Sequence, residues 1–167
     1  MNCNNHKEEE VVMMNLPSMI VFDLDDCLWT PEMHELYDAP TIPIPGILGY
    51  SSHNNQEEKG IVGMGVPKKN HPIVKLYDGA RQVLRELALN PKYQNILLAV
   101  ASTSLEPSYS YICLKGIEII PGQTIQDMIT YVHHPLHKYI LCELILFYFS
   151  SSSSMFLYVC MYVGIIK

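Results

Sequence analysis

A chain of 167 residues is long enough to bury a sizeable core, and we expect most of it to form one domain. Its net charge of −6, with the Lys and Arg side chains in no stripe, excludes the basic footprint of a nucleic-acid-binding protein. The five Cys form no Cys-x-x-Cys pair, so neither a zinc site nor a disulfide framework is indicated. The opening "MNCNNHKEEE" lacks the basic and then apolar order of a signal peptide, so we expect a cytoplasmic protein.

Charged residues are distributed unevenly along the chain. Residues 1–131 hold 25 of the 28 charged residues, whereas the remainder holds only Lys138, Glu143 and Lys167. The mean hydropathy of +0.10 therefore owes much to the last part of the chain. We expect three segments: a disordered lead-in over 1–17, a folded domain over 18–131 and an apolar tail over 132–167.

The first predicted element is a strand in "SMIVFDL", a continuous apolar run that suits a strand covered on both faces. Residues 31–72 follow it and are rich in Pro and Gly. Within them, "IPGILGY" and "GIVGMGV" flank the polar "SSHNNQEEK", a pattern that predicts a hairpin with a wide loop. We interpret residues 31–72 as a small flap or insert.

A strand, a turn and an amphipathic helix are predicted in "VKLYDGARQVLRELALN", and Asn90-Pro91 should end the helix. A second all-apolar strand follows in "NILLAVASTS", and "SYSYICLKGIEIIPG" could supply another helix and a short strand. Two apolar strands separated by a helix indicate a right-handed crossover in a parallel sheet, so we predict an α/β fold. The face of the amphipathic helix should be formed by Ala80, Val83, Leu84, Leu87 and Ala88.

Polar side chains gather where both apolar strands end. Asp23, Asp25 and Asp26 close the first strand, although like charges at that range repel one another. The residues from Ser102 to Ser104 close the second strand. Ligands of open α/β sheets bind beyond the carboxyl ends of the strands, and paired carboxylates suit Mg²⁺, which takes oxygen ligands. We therefore expect a magnesium site at this edge of the sheet.

The motif "FDLDDCLW" resembles the DxDx[T/V] signature of the haloacid dehalogenase-like superfamily. The Trp directly after the Leu, with "LYDGARQVL" and "AVASTS", resembles its magnesium-dependent phosphatase branch, similar to acid and fructosamine-phosphate phosphatases. The resemblance covers about residues 18–131. It implies a doubly wound, Rossmann-like parallel sheet with a small flap. It also implies Mg²⁺-dependent hydrolysis of a phosphate monoester, of the phosphotyrosine or phosphosugar type, on a small molecule or a protein.

The resemblance also implies roles for individual residues. Asp23 is similar to the nucleophile that forms an aspartyl-phosphate, and Asp25 to the general acid and base. Asp23 would give Mg²⁺ a side-chain oxygen and Asp25 a backbone carbonyl. Ser102, together with Thr103, resembles the segment that holds a phosphoryl oxygen. Asp26 should be solvated, and Cys27, which stands where the family usually has Thr, should pack.

Two further elements of the family have no counterpart in this sequence. After "IPGQTIQDMITY" no apolar strand ends in two Asp, and no Asp follows Asp127. Lys115 and Lys138 do not lie in the context of the family's Lys. We therefore expect an incomplete C-terminal half, with an unpaired sheet edge beside the first strand. Our hypothesis for the tail is translated non-coding sequence, such as a retained intron.

Several features have a second interpretation. The acids could form a helix cap and a solvated turn, the hydroxyl segment an ordinary polar turn, and Trp29 could pack or line the mouth of a site. His133, His134 and His137 could bind a metal, but Pro135 interrupts them and incidental His is favoured. Residues 139–166 could form a membrane anchor. The rivals of the enzyme are thus an inactive chain that at most binds a partner and a membrane-associated protein, and the oligomeric state is not predicted.

Overall fold

The computed structural model describes residues 16–52, 54–67, 72–133 and 157–160. Most of the predicted lead-in and tail, including His134 and His137, therefore lies outside the described residues. The same holds for the predicted membrane segment, apart from Leu157–Cys160, which form a strand. Within the described ranges, no helix is both long and apolar enough to cross a membrane.

A four-stranded parallel sheet lies at the centre of the fold, with the order β10-β1-β6-β9. The two central strands are the two apolar runs, and Ile20 is paired with Leu98 across them. The prediction of a parallel sheet is confirmed. The expected unpaired edge beside the first strand is wrong, because a segment from the tail pairs with it. The strands are β1 (Met19–Phe22), β6 (Leu97–Ala101), β9 (Tyr131–His133) and β10 (Leu157–Cys160).

A second, antiparallel sheet is built from the Pro- and Gly-rich insert and the two short strands that flank it, with the order β2-β5-β4-β3. The predicted hairpin is confirmed by the pairing of β3 with β4, but its loop is narrower than expected. Glu57, Glu58 and Lys59 belong to β4, where alternate side chains face solvent and charged residues are tolerated. The strands are β2 (Trp29–Thr30), β3 (Ile42–Tyr50), β4 (Glu57–Gly65) and β5 (Ile73–Leu76).

Three α-helices, a short ribbon and two 3₁₀ turns (Met33–Glu35 and Pro91–Tyr93) complete the described fold. The predicted amphipathic helix is confirmed as α1, and Asn90 caps its end. The prediction that Val83 lies on the buried face is wrong, because Val83 is 48% exposed whereas Leu84 is buried. At 100° per residue Val83 lies at the margin of the apolar stripe. The elements are α1 (Asp78–Leu89), α2 (Pro107–Gly116), β7 (Glu118–Ile120), β8 (Gln123–Thr124) and α3 (Ile125–Met128).

The continuous apolar runs are explained by burial on both faces of the parallel sheet. Phe22 and Val100 belong to the large core, which also contains Trp29 and Leu84 from the insert and α1. The alternate residues on the other face form a separate buried cluster of Met19, Val21, Ala99 and Ala101. A strand buried on both faces needs apolar side chains at every position, so the first polar residues mark where the strand ends.

The hairpin is held against α1 and β7 by two partly buried arginines. The Arg81 guanidinium donates to the backbone oxygens of Glu118, at 3.0 Å, and Val62, at 2.9 Å. Arg85 forms an ion pair of 2.7 Å with Glu58 of β4. Burial lowers the pKa of Arg81 from its ordinary value, and the neighbouring Arg85 adds to this. These contacts fix the hairpin on the side of α1 and β7.

Candidate active site

The two polar strand ends meet in one cavity. β1 and β6 are parallel neighbours, so their carboxyl ends lie at the same edge of the sheet. Asp23 and Asp25 follow β1, and Ser102 and Thr103 follow β6. The cavity at this edge has a volume of about 770 Å³. It is lined by Asp23, Asp25, Asp26, Cys27, Glu32, His34, Tyr77, Ser102, Thr103, Ser104 and Leu105.

A tight loop after β1 presents the three carboxylates. The carbonyl oxygen of Leu24 accepts the N–H groups of Cys27 and Leu28, at 3.2 and 2.9 Å. Asp26 has a φ of 56°, in the left-handed region that Asp adopts more readily than most residues. Leu24 and Leu28 are fully buried, whereas Asp26 is exposed. Burial of the leucines therefore directs the acids towards the cavity, and the prediction that Asp26 is solvated is confirmed.

Trp29 is completely buried, which confirms the packing interpretation. Its indole Nε1–H also donates a hydrogen bond of 2.8 Å to Oδ1 of Asp25. A buried indole N–H needs an acceptor, so the tryptophan and the half-buried carboxylate satisfy each other. The bond fixes the orientation of the Asp25 carboxylate at the cavity.

Asp23 and Asp26 are held by different contacts. The backbone N–H of Leu24 donates to Oδ1 of Asp23 at 2.9 Å. The hydroxyl of Tyr77, the residue before α1, donates to Oδ1 of Asp26 at 3.2 Å. The backbone N–H of Tyr77 also donates to the carbonyl oxygen of Leu28, at 3.0 Å. The start of α1 is thereby joined to the acidic loop.

The hydroxyl segment after β6 forms a polar turn and also lines the cavity. Ser102 is only 2% exposed, and its Oγ accepts the N–H of Ser104 at 3.2 Å, as in an ordinary polar turn. The Oγ of Ser104 in turn accepts the N–H of Glu106, just before α2. Ser102, Thr103 and Ser104 nevertheless line the same cavity as the carboxylates. The turn therefore places hydroxyl and backbone groups where an anion could bind.

Four lining residues were not predicted from the sequence: Glu32, His34, Tyr77 and Leu105. The Nδ1 of His34 lies 3.1 Å from Oε2 of Glu32. Burial raises the pKa of Glu32, the charges of Asp26 and Asp25 raise it further, and His34 partly offsets this. The available signal was an acid and a His two residues apart, directly after the short strand that follows the acidic motif.

The lining of this cavity is dominated by negative charge. Among the described residues it contains four carboxylates, and His34 is its one basic side chain. Within that part of the chain, no three His, Cys, Asp or Glu side chains are arranged to hold a metal ion. An entering anion would therefore meet a strongly acidic surface.

The thiol of Cys113 is not activated. Cys113 of α2 is fully buried, and burial raises its pKa to about 12, with a further contribution from the charge of Asp25. It stays protonated at neutral pH and is no nucleophile. Cys27 is half-buried at the cavity wall.

Comparison with known proteins identifies one family. The family model described as acid phosphatase matches residues 15–140, more than half of the chain and slightly more than the 18–131 expected from the motifs. No curated protein and no solved structure matches the chain significantly. The matched range includes both polar strand ends and all the residues that line the cavity. The chain therefore belongs to the acid phosphatase family.

Proposed function

We propose that this chain hydrolyses phosphate monoesters through an aspartyl-phosphate on Asp23, with Mg²⁺ as cofactor. Membership of the acid phosphatase family indicates a phosphatase activity. The observation that carries the finer proposal is the cavity shared by Asp23, Asp25 and Ser102, which come from two neighbouring parallel strands. Such an arrangement puts a nucleophile, a proton carrier and a phosphate-binding hydroxyl around one ligand.

In the first step, a carboxylate oxygen of Asp23 attacks phosphorus and the bond from phosphorus to the ester oxygen breaks. Asp25, in its protonated form, donates its proton to the departing oxygen. The indole N–H of Trp29 holds the Asp25 carboxyl in position for this transfer. The products are the free alcohol and the acyl phosphate on Asp23.

In the second step, Asp25 is a carboxylate and accepts a proton from a water molecule as that water attacks phosphorus. The bond between phosphorus and the Asp23 oxygen breaks, which releases inorganic phosphate and regenerates the Asp23 carboxylate. Asp25 is protonated again at the end of the cycle.

Ser102 and Thr103 are the proposed phosphate-binding residues. The Ser102 hydroxyl is buried at the cavity wall, and the turn that follows it leads directly into α2. A hydroxyl donor and the backbone N–H groups at a helix start both suit phosphoryl oxygens. If the segment formed only a polar turn, replacing Ser102 would not change phosphate binding.

The donor atoms at the cavity fit Mg²⁺. They are oxygens, and the raised pKa of Glu32 reflects mutual repulsion among carboxylates as well as burial. Asp23 would hold the ion through its side chain and Asp25 through its backbone carbonyl. Mg²⁺ is often bound by one or two carboxylates and retains several waters, so the lack of a three-residue cluster among the described side chains is compatible with it. When bound, the ion would supply positive charge that lets an anionic carboxylate approach an anionic phosphate.

The parallel sheet supports the doubly wound, haloacid dehalogenase-like arrangement that the motifs imply, since four parallel strands lie side by side. We propose phosphotyrosine-type or phosphosugar-type monoesters as substrates, on a small molecule or on a protein. The hairpin strands β3 and β4 contribute no residue to the lining of the cavity, so large leaving groups are compatible with it.

The experiment is a turnover assay of the full chain with p-nitrophenyl phosphate, with Mg²⁺ and after removal of divalent ions by EDTA. We expect Mg²⁺-dependent turnover, and a loss of at least about a thousandfold in Asp23→Asn. Asp38→Asn is the matched control, because Asp38 is exposed and lies outside the cavity. A folded wild-type chain without turnover would overturn the proposal and favour the inactive alternative.

A further inference from the structure

The charge of the cavity raises a question about how phosphate binds. A phosphate monoester is a dianion near neutral pH, and the cavity wall presents four carboxylates to it. Part of that charge is neutralised if a metal is held by Asp23 and Asp25. Asp26 and Glu32 line the same cavity, and burial, together with the charges of Asp26 and Asp25, raises the pKa of Glu32. A cationic side chain of the protein is needed to balance them.

We propose that His34, in its protonated form, is the cationic residue that binds the phosphate group in this cavity. The inference rests on the proposed function, since it takes a phosphate monoester as the ligand. His34 is the one basic side chain that lines the cavity among the described residues. Nothing in the sequence motifs points to it.

The local structure holds the imidazole on an anchored turn and leaves it accessible. His34 lies on a 3₁₀ turn, Met33–Glu35, whose Met33 is fully buried and anchors the turn in the core. The His34 side chain is itself about half exposed. Its Nδ1 is engaged with Glu32 at 3.1 Å, which orients the ring and leaves Nε2 as the donor for an anion.

Most of the ionisable groups around His34 are acidic. Glu32 is its direct partner, and Asp25, Asp26 and Tyr77 line the same cavity. Glu35 lies on the same turn.

α2 packs against the turn, and its titratable side chains are Tyr109, Tyr111, Cys113 and Lys115. Cys113 remains neutral because its pKa is raised to about 12, and Lys115 is exposed on α2. The described neighbours of the imidazole within the cavity are therefore anionic or neutral.

The experiment measures binding of inorganic phosphate to the full chain by calorimetry, with Mg²⁺ at one fixed concentration. Wild type, His34→Gln and His34→Arg are compared at about pH 5.5 and about pH 8, which bracket the usual titration of imidazole. The ionisation of phosphate itself changes between these pH values. It cancels when the variants are compared at the same pH, so the ratio of their dissociation constants reports on residue 34.

At about pH 5.5 we expect His34→Gln to bind phosphate about tenfold more weakly than wild type, as for the loss of one charge-assisted hydrogen bond. At about pH 8 the two should bind alike. His34→Arg keeps its charge and should bind more tightly than His34→Gln at both pH values. Circular dichroism checks that each variant is folded, and the exposed position of His34 makes loss of the fold unexpected.

Equal binding by wild type and His34→Gln at about pH 5.5 would overturn the inference. An equal loss at both pH values would also overturn it, because the effect would then not depend on charge. These results test the role of His34 separately from the proposed phosphatase function. Turnover that requires Asp23 while His34→Gln binds normally refutes only the role of His34. Phosphate binding that requires His34 in a chain without turnover refutes only the catalysis.

Discussion

Two regions of this molecule differ in how their charged side chains are paired. Where the hairpin docks, the partly buried cations have partners: Arg85 pairs with Glu58, and both terminal nitrogens of the Arg81 guanidinium donate to backbone oxygens. At the cavity, by contrast, four carboxylates and a single imidazole line the same space among the described residues.

The difference distinguishes structural from functional charge. A buried arginine with satisfied hydrogen bonds joins two elements, and nothing further is required of it. Carboxylates held together at a cavity destabilise the fold unless a ligand of opposite charge binds there. We therefore expect changes at the hairpin interface to alter stability, and changes at the cavity to alter binding and turnover.

Among the variants that test this difference between the hairpin interface and the cavity, Asp25→Asn should have the largest effect. The amide oxygen can still accept the Trp29 N–H, so the fold should be kept, but the proton carrier is lost. For an alkyl phosphate such as glycerol 2-phosphate, the rate of the first step, measured as the single-turnover release of the alcohol, should fall by roughly 10²–10⁴-fold. With p-nitrophenyl phosphate the first step should slow much less, because that leaving group departs without a proton, whereas loss of the base slows the second step equally for both substrates. Equal losses in the first step on both substrates would contradict the role of general acid.

Arg81→Met tests the other region. Removing the guanidinium leaves the backbone oxygens of Glu118 and Val62 without their donor, and we expect the free energy of unfolding to fall by roughly 2–4 kcal/mol. Urea titration measures this, with Lys115→Met as the control because Lys115 is exposed. The kcat of the folded variant should not change. A loss of turnover without a loss of stability would break the distinction between the two regions.

Ser102→Ala should have a smaller effect, confined to the cavity. Loss of one hydroxyl donor to a phosphoryl oxygen should raise KM about tenfold. Ser108→Ala, at an exposed position of α2, serves as the control. An unchanged KM would leave Ser102 as a residue of the turn alone.

The smallest effect is expected at Asp127, which is remote from the cavity lining and the hairpin contacts. Thr124 and Asp127 form a capping box at α3, and hydrogen bonds from the Thr124 backbone and side chain lower the pKa of Asp127. Because the folded pKa lies below the unfolded one, this stabilisation is present above the unfolded pKa and is lost as pH falls through the folded pKa. Asp127→Asn should therefore lower the melting temperature slightly at pH 7 and not at strongly acidic pH. The same difference at both pH values would show that the charge is not responsible.

The elements that the sequence predicts well are those with a local physical signal. The runs around Met19–Phe22 and Leu97–Ala101 are apolar at every position because both faces are buried, and their ends are marked by polar residues. The same contrast located Asp23, Asp25 and Ser102 at the cavity edge.

The remainder depends on contacts between distant segments. His34 and Tyr77 reach the cavity only through the turns before and after the hairpin, so no spacing in the sequence predicts them. The docking of the hairpin depends on Arg81, whose partners lie 19 and 37 residues away. Val83 fits an apolar helix face by spacing, but the width of the buried stripe is set by what packs against it.

The most direct test of the proposed mechanism is to trap the covalent intermediate. The full chain is mixed with a phosphate monoester and Mg²⁺, quenched in acid within its turnover time, and its peptides are analysed by mass spectrometry. We expect a phosphoryl group on Asp23 in wild type and none in Asp23→Asn. A phosphoryl group on another residue, or turnover that persists in Asp23→Asn, would contradict it.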